Sequence, residues 1–275
     1  MTIISICNGQ YKYDDSKMLG RGGFGTVYRG IGADIAIKMG NYANAERSLY
    51  SLQGMVYGQK AMTNDRLDRL AVEELKFLKA LKHPNIVTFF DYDKVGNKLY
   101  LVMELCDGDL DKYLRPSMGK MNEAQLAGMI RQVSGGLCFL HDKGVIHRDI
   151  KGPNILTKGS QFKVADFGIA LLGKNFDDED VIGTPAYMAP EYFGHNVSSY
   201  NSKVDVWAFG VVICECAMGW KASPGSNPCQ KQSWRPENLQ NVSANLRDLL
   251  NKALEINRDR RCSMKEVNNH SFTRG

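Results

Sequence analysis

Residues 147–154 read His-Arg-Asp-Ile-Lys-Gly-Pro-Asn, and residues 166–168, twelve positions after the last of these, read Asp-Phe-Gly. Their side chains include the carboxylates of Asp149 and Asp166, the ammonium group of Lys151 and the amide of Asn154. Phosphoryl transfer requires a carboxylate to orient the attacking hydroxyl, a cation near the moving phosphate, and hard oxygen ligands for magnesium. The stretch therefore predicts a phosphoryl-transfer site with Asp149 as its catalytic carboxylate.

A glycine-rich run lies upstream, at residues 20–27, with the pattern G-x-G-x-x-G-x-V. Glycines let backbone N–H groups approach a polyphosphate closely. A dinucleotide-binding fold would place a helix directly after such a run, whereas a second β-rich run, residues 26–31, follows here. A β-hairpin that covers phosphates fits the sequence better.

Lys38 ends the run Ile-Ala-Ile-Lys, which has the composition of a buried strand, where an unpaired ammonium group would be costly. Between residues 64 and 81, apolar side chains recur every three or four positions, which predicts an amphipathic helix. Glu74 alone interrupts the inward face of that helix, so we expect it to pair with Lys38. A surface lysine that extends its charge into water is the alternative.

Short β-rich runs separated by glycine turns fill residues 11–39, and further strands are expected at 86–90 and 99–103. The remainder is mostly helical in pattern, so a small β lobe should come first, with a seam near residues 105–108. Residues 40–63 fit neither pattern. We interpret them as an inserted loop, either a docking or regulatory segment or an inert surface loop.

Composition narrows the classes of protein. A chain of 275 residues with 43% hydrophobic content forms one large domain or two lobes. Its net charge of +5 is spread along the chain, which argues against nucleic-acid or membrane partners. Seven cysteines without paired zinc spacing predict reduced thiols and a cytoplasmic location, with the nucleus as an alternative. No segment approaches the ~20 apolar residues of a membrane-spanning helix.

With these motifs in this order, the chain resembles the eukaryotic protein kinase family from about residue 11 to residue 272. Residues 183–191 resemble the substrate-docking segment of that family, and residues 205–207 resemble the start of its central helix. The resemblance implies an α+β, bilobal protein-kinase fold. Its parts would be a small N-terminal antiparallel β lobe with one regulatory helix, a hinge, and a larger, mainly α C-terminal lobe, at about residues 11–104, 104–108 and 109–272.

The same resemblance implies a role for each motif residue. Lys38 would bind the α- and β-phosphates of ATP while paired with Glu74, and Asp149 would be the catalytic base, assisted by Lys151. Asn154 and Asp166 would hold Mg²⁺, with Mn²⁺ as an alternative metal. Met103 would be the gatekeeper, and the backbone of Glu104 and Cys106 would contact the adenine. The remaining nucleotide contacts as a whole would be Leu19, Gly20, Gly22, Gly25, Val27, Ala36, Met103, Glu104, Cys106 and Leu156.

Further implied contacts concern the packing of the fold. Glu191 should pair with Arg261, and a structural role is expected for Asp205 and Arg261 because buried charges are usually paired. The resemblance also implies a stack of four side chains that couples the lobes: Leu78, Phe89, His147 and Phe167.

Two features favour serine or threonine over tyrosine as the acceptor: Lys151, two residues after Asp149, and Thr184 in the docking segment. The hydroxyl of Thr184 is expected to contact both Asp149 and Lys151. The wording of the motifs is most similar to Ste-type kinases of the MAP kinase kinase kinase kind. The expected substrate is a protein with a Ser/Thr acceptor, and a downstream kinase is one candidate. Pro153 leaves the sequence preference for substrates open. The oligomeric state is also open.

One segment departs from the family. Residues 169–183 contain no serine, threonine or tyrosine, and the acidic run from Asp177 to Asp180 stands where a phosphosite is usual. Our hypothesis is that this run pairs with Arg148 in place of a phosphate, so that the kinase is active without loop phosphorylation. A solvated acidic loop is the alternative.

Two other functions were weighed. An ATP-binding pseudokinase that serves as a scaffold in a kinase cascade would be favoured by loss of a motif residue, yet all are present: Lys38, Asp149, Asn154 and Asp166. Small-molecule kinases of the aminoglycoside or choline type lack the docking segment that ends in Ala-Pro-Glu at residues 189–191.

Overall fold

The structure is a computed structural model that describes residues 2–22, 25–32, 34–41, 75–117, 119–166, 171–172, 183–193, 201–219, 236 and 239–274. The chain divides into two compact units, Met1–Asp107 and Gly108–Gly275. The first unit is rich in antiparallel strands and the second is mainly helical. The predicted α+β class is therefore confirmed. Among the described residues, no helix combines the length and apolar character that crossing a bilayer requires.

The N-terminal unit is built on one antiparallel sheet of six strands in the order β1-β2-β3-β4-β6-β5. The strands are β1 Ile3–Ile6, β2 Tyr11–Gly22, β3 Gly25–Gly30, β4 Ile35–Asn41, β5 Phe89–Val95 and β6 Lys98–Glu104. Strand β1 lies before the region in which we predicted strands. Strand β5 begins three residues later than predicted. It continues to Val95 because its alternating Asp-Tyr-Asp-Lys sequence suits an edge strand with one polar face.

Each face of this sheet carries its own apolar cluster, as expected from the two-residue period of a strand. The first cluster consists of Ile6, Tyr13, Tyr28, Ile35, Ile37, Tyr100 and Val102. On the other face, helix α1 (residues 75–80) packs through Leu75 and Leu78 against Phe89, Leu99, Tyr92 and Leu101. Helix α1 corresponds to the end of the helix predicted at 64–81; the rest of that prediction, with Glu74, lies outside the described residues. The loop predicted at 40–63 begins too early, because Gly40 and Asn41 continue β4 by pairing with β6, and residues 42–63 lie outside the described residues.

The C-terminal unit contains the longer helices. Among its described residues, the helices are α2 Leu110–Leu114, α3 Glu123–Asp142, α4 Lys203–Met218, α5 Ala244–Ala253, α6 Met264–Asn268 and α7 Ser271–Arg274. The short strands are β7 Gly108–Asp109, β8 Val145–Ile146, β9 Ile155–Lys158, β10 Gln161–Val164 and β11 Leu171–Leu172. Helix α3 begins with a reciprocal capping box between Asn122 and Gln125, which satisfies backbone donors at its first turn.

Helix α4 forms the centre of this unit, since every residue from Val204 to Cys216 is buried. Its apolar sequence is interrupted by two carboxylates, Asp205 near the start and Glu215 near the end. The hydroxyl of Tyr187 donates to both oxygens of Glu215, at 3.0 and 3.2 Å. Burial, opposed by the Tyr187 bond and reinforced by the charge of Asp111, raises the pKa of Glu215 to about 7.

The predicted pair between Glu191 and Arg261 is confirmed. Nη1 and Nη2 of Arg261 donate to the two carboxylate oxygens of Glu191 at 2.7 and 2.8 Å, in the bidentate geometry that makes such pairs strong. The guanidinium carbon lies 5.1 Å from the ring centroid of Trp207 on α4. This pair therefore fixes the end of the docking segment to the helical core.

The raised pKa of Glu215 predicts a pH dependence of stability. Between pH about 4.5, the ordinary value, and about 7, the folded chain keeps a proton that the unfolded chain releases. The free energy of unfolding should therefore fall as pH rises through this window, by at most ~3 kcal/mol, and level off above it. Glu215→Gln cannot titrate and should flatten the profile, measured by urea unfolding at a series of pH values.

The matched control is Glu123→Gln, which changes an exposed glutamate at the start of α3 and should leave the profile as in the wild type. A Glu215→Gln profile that is parallel to the wild-type profile from pH 4.5 to 7 would contradict this account of the buried carboxylate.

Candidate active site

The backbone before Asp149 is held by one buried carboxylate. Oδ2 of Asp205 accepts the N–H of His147 at 2.9 Å, and Oδ1 accepts the N–H of Arg148 at 2.8 Å. Nε2 of His141 lies 2.8 Å from the same Oδ2. Arg148 has a φ of +66°, a left-handed conformation that residues with a Cβ adopt only where their surroundings hold them. Asp205 thus provides the constraint that this strained residue needs.

The charge on Asp205 is stabilised despite its burial. Burial by itself would raise the pKa of this carboxyl, but the His141 bond, the charges of His141 and His147 and the His147 N–H together bring the pKa below its ordinary value. An ionised carboxylate accepts stronger hydrogen bonds than a neutral acid. Asp205 therefore stays a good acceptor for the loop.

The side chains of Asp149, Lys151 and Thr184 form a closed cluster. The hydroxyl of Thr184 donates to Oδ1 of Asp149 at 2.6 Å. Nζ of Lys151 donates to Oδ2 of Asp149 and to Oγ1 of Thr184, each at 2.7 Å. The predicted contacts of Thr184 are confirmed, and both oxygens of Asp149 are held in fixed positions.

Asn154 ties the same carboxylate to the next strand. Its Nδ2 donates to the backbone oxygen of Asp149 at 2.8 Å and to Oδ2 at 3.0 Å. Its backbone oxygen accepts the N–H of Ala165 at 2.9 Å, and the ring of His147 lies 2.9 Å from the oxygen of Ala165. Asp166 follows at once, with a φ of +62°. The structure thus brings the two predicted metal-binding segments together.

These donors fit magnesium. The amide oxygen of Asn154 and the carboxylate of Asp166 are hard oxygen ligands, and Mg²⁺ is commonly held by one or two such groups together with substrate phosphates and water. Within the described residues, no group of three or more His, Cys, Asp and Glu side chains is placed to hold a metal by itself.

In the N-terminal unit, the glycine-rich run forms a β-hairpin between β2 and β3, as predicted. Gly20 pairs with Val27 and Gly22 pairs with Gly25. Gly25 has a φ of +138°, and a Cβ at this position would lie 2.3 Å from the backbone oxygen of Met39. Only glycine fits there. The alternative, a glycine turn that leads into a helix, is excluded by the strand that follows.

Of the other residues predicted to contact the nucleotide, Lys38 and Ala36 lie on β4, and Met103 and Glu104 lie on β6. Lys38 is opposite Val27 on one side, and Ala36 is opposite Met103 on the other. The N–H of Glu104 donates to the oxygen of Thr88 at 3.0 Å, so its expected contact with adenine would use the carbonyl group. Leu19 is 42% exposed, and Cys106 is partly exposed.

Several predictions are not tested by this geometry. Glu74, Phe167 and the acidic run from Asp177 to Asp180 lie outside the described residues. Of the predicted stack, Leu78 and Phe89 share one cluster in the N-terminal unit, and His147 belongs to the C-terminal unit. Leu156, a predicted nucleotide contact, lies in the C-terminal unit opposite Asp109. The pair between Lys38 and Glu74 therefore stays a prediction.

The sequence analysis does not predict the hydrogen-bond partners of two buried carboxylates, Asp205 and Glu215. His141 precedes Asp205 by 64 residues, and Tyr187 precedes Glu215 by 28. Neither separation follows a helix or strand period. A usable signal did exist for the second pair, because Glu215 is a carboxylate in the apolar run of α4 and so requires a hydrogen-bond partner.

Comparison with known proteins agrees with the site. The sequence model of the protein kinase domain matches residues 13–273. The chain is similar to the serine/threonine-protein kinase ULK1 of Homo sapiens, with 31% identity over 288 residues that cover 96% of this chain and 25% of the relative. It is also similar to mitogen-activated protein kinase kinase kinase 1 of Arabidopsis thaliana, with 32% identity over 277 residues, 95% of this chain and 42% of the relative.

The chain thus spans less than half the length of either relative. The name of the second relative agrees with the similarity of the motifs to kinases of the MAP kinase kinase kinase kind. The domain match covers nearly the whole sequence, and it includes all the residues that form the bonded cluster around Asp149. This chain belongs to the protein kinase family.

Proposed function

We propose that this chain is an active serine/threonine protein kinase, which transfers the γ-phosphoryl group of ATP to Ser or Thr hydroxyls of protein substrates. The observation that carries the proposal is the closed cluster of Asp149, Lys151 and Thr184, with three contacts of 2.6 to 2.7 Å. A carboxylate and an ammonium group held this close are pre-positioned for a hydroxyl and a phosphoryl group.

Each residue of the cluster has a distinct task. Asp149 accepts the hydrogen bond of the attacking hydroxyl and takes its proton as the new O–P bond forms, while the bond from the γ-phosphorus to the bridging oxygen breaks and ADP leaves. Lys151 provides positive charge beside Asp149, where the oxygens of the transferred group accumulate negative charge. Thr184 fixes the relative position of the two by bonding to both.

The nucleotide residues complete the proposal. Asn154 and Asp166 would hold Mg²⁺, or Mn²⁺ in its place; the metal, when bound, neutralises charge on the phosphates of ATP. Lys38, paired with Glu74, would bind the α- and β-phosphates under the glycine hairpin, whose backbone at Gly25 leaves no space for a side chain. Ala36, Met103 and the hinge carbonyl of Glu104 would form the adenine site.

A polypeptide substrate is supported by the docking segment. Residues 183–193 are fixed at three points: Thr184 bonds to the catalytic cluster, Tyr187 to Glu215, and Glu191 to Arg261. A segment held along its length presents a stable surface to an extended peptide. Because one relative is named a mitogen-activated protein kinase kinase kinase, a downstream protein kinase is a candidate substrate.

The proposal includes activity without loop phosphorylation. Residues 169–183 offer no hydroxyl to phosphorylate, and the acidic run from Asp177 to Asp180 supplies negative charge in that interval. The six cysteines within the described residues are all free thiols, which suits a reducing compartment such as the cytoplasm.

Phosphate transfer from radiolabelled ATP to an array of degenerate peptides tests the function. With Mg²⁺ and phosphatase-treated protein, the wild type should label Ser and Thr peptides. Asp149→Asn should reduce kcat by about 10² to 10⁴, the usual contribution of a general base. No labelling by a folded wild type that binds ATP would favour the scaffold alternative, and labelling that depends on prior phosphorylation would contradict activity of the unmodified loop.

Replacement of Thr184 tests the bonded cluster itself. Thr184→Ala removes the hydroxyl that joins Asp149 to Lys151, and it should lower kcat by about 10- to 100-fold, the effect of one or two charged hydrogen bonds. Thr184→Ser keeps the hydroxyl and should retain most of the activity. Steady-state kinetics with one peptide from the array would compare the two. Equal kcat values for the alanine and serine variants would exclude the positioning role.

A further inference from the structure

An N-terminal strap, defined as residues 3–11, lies before the region that matches the family. Strand β1 pairs antiparallel with the beginning of β2, from Ile3 opposite Asp14 to Ile6 opposite Tyr11. Ile6 is 2% exposed and belongs to the apolar cluster on one face of the sheet. The strap is thus a packed part of the N-terminal unit.

The turn of the strap reaches the opposite edge of the sheet. β1 and β5 are the two edge strands, yet the N–H of Cys7 donates to Oδ2 of Asp93 at 2.5 Å, and Sγ of Cys7 lies 3.5 Å from the oxygen of Tyr92. Cys7 and Asn8 have φ angles of +52° and +54°. Two consecutive left-handed residues with side chains are costly, so the contacts to β5 help to hold the turn.

A row of strand partners joins this contact to the phosphate-binding residues. Tyr92 lies opposite Leu101, Leu101 opposite Lys38, Lys38 opposite Val27, and Val27 opposite Gly20. Directly opposed residues of antiparallel strands share one face of the sheet. Tyr92, whose backbone oxygen lies beside Sγ of Cys7, therefore shares one continuous row with Lys38 and the glycine hairpin across five strands. Asp93, the next residue of β5, lies in the neighbouring row opposite Tyr100, on the other face of the sheet.

Helix α1 is attached to the same edge strand. Nζ of Lys79 lies 3.0 Å from Oδ1 of Asp91, and Leu78 packs in one cluster with Tyr92 and Leu101. Strand β5 is thus held by α1 through Asp91 and by the strap through Asp93. Any displacement of β5 that follows release of the strap would act on α1 and on the row that contains Lys38.

We propose that the strap is a positioning device for the nucleotide site: when its turn is bonded to Asp93, it holds β5, α1 and the Lys38 row in the arrangement that binds the phosphates. Its effect on catalysis rests on the kinase function proposed above. Such a device has two states, strap closed and strap released, and the nucleotide binds the closed state more tightly. By linkage, bound nucleotide must favour the closed strap by the same factor.

Cys7 provides the probe for these states. In the closed strap its thiol is partly buried beside Tyr92, and burial, with the charges of Asp91 and Asp93, raises its pKa to about 11. Cys138 on α3, in the C-terminal unit, is an internal reference, since burial raises its pKa to about 11 as well. Alkylation of both by iodoacetamide can be followed in one sample by peptide mass spectrometry.

For the wild type, saturating MgADP should slow the alkylation of Cys7 by about fivefold or more, the lower range of measured coupling between sites. The rate at Cys138 should not change. Asp93→Ala removes the acceptor of the Cys7 N–H, so Cys7 should react about tenfold faster. MgADP binding to this variant, measured by calorimetry, should weaken by about fivefold. Asp93→Asn keeps an acceptor oxygen but removes the charge, so its Cys7 rate measures the effect of the charge alone; Asp93→Ala should exceed that rate, and Asp93→Asn should keep the MgADP affinity of the wild type.

The outcomes separate the strap from the kinase function. Absence of an MgADP effect on Cys7 in the wild type, or faster Cys7 alkylation in Asp93→Ala with unchanged MgADP affinity, overturns the strap proposal. If these shifts occur in a wild type that transfers no phosphate, the strap proposal stands and the kinase proposal fails. A folded wild type that binds no MgADP overturns both. Faster alkylation of Cys138 in Asp93→Ala would show that this variant is generally unfolded. The effect of MgADP on Cys7 alkylation in the wild type then decides whether the strap proposal holds.

Discussion

The carboxylate of Asp205 is the constraint on which the catalytic segment depends. It is fully buried at the start of α4, and it accepts the backbone N–H groups of the two residues that precede Asp149. Because Arg148 adopts a left-handed conformation, the chain needs a fixed acceptor at this point. That backbone conformation sets the direction in which the side chain of Asp149 points. The bonds of Asp149 to Lys151 and Thr184 depend on this direction.

From this anchor, a chain of bonds extends to the second metal-binding segment. The ring of His147 contacts the oxygen of Ala165, and the backbone of Asn154 accepts the N–H of Ala165. The residue that follows is Asp166. Polar groups buried in this way stabilise a single arrangement when each finds a partner. A fixed arrangement before the substrate arrives is also what electrostatic catalysis requires, because dipoles that are already oriented need not reorganise during the reaction.

Sequence reasoning could propose the candidate site residues, because the spacing within each motif is set by local structure. The hairpin at Gly20 to Val27 follows from such a motif, whereas the pairing of Glu191 with Arg261 was implied by the resemblance to the family; both are confirmed. The strap was not predicted, since four residues of β1 are too short a pattern to separate from a loop. Contacts such as His141 with Asp205 depend on tertiary packing over 64 residues, which no local period encodes.

Asp205 positions Asp149 through the loop backbone, and the kcat of Asp205→Asn for a peptide substrate tests this role. The amide keeps the size of the side chain but has one acceptor oxygen, so it cannot accept both loop N–H groups in the same way. At a temperature where near-ultraviolet circular dichroism shows native packing, we predict that kcat falls about 100-fold or more while MgADP affinity is retained. Asp142→Asn, which changes an exposed neighbour of His141, should be unaffected. A folded Asp205→Asn variant with the kcat of the wild type would contradict the account.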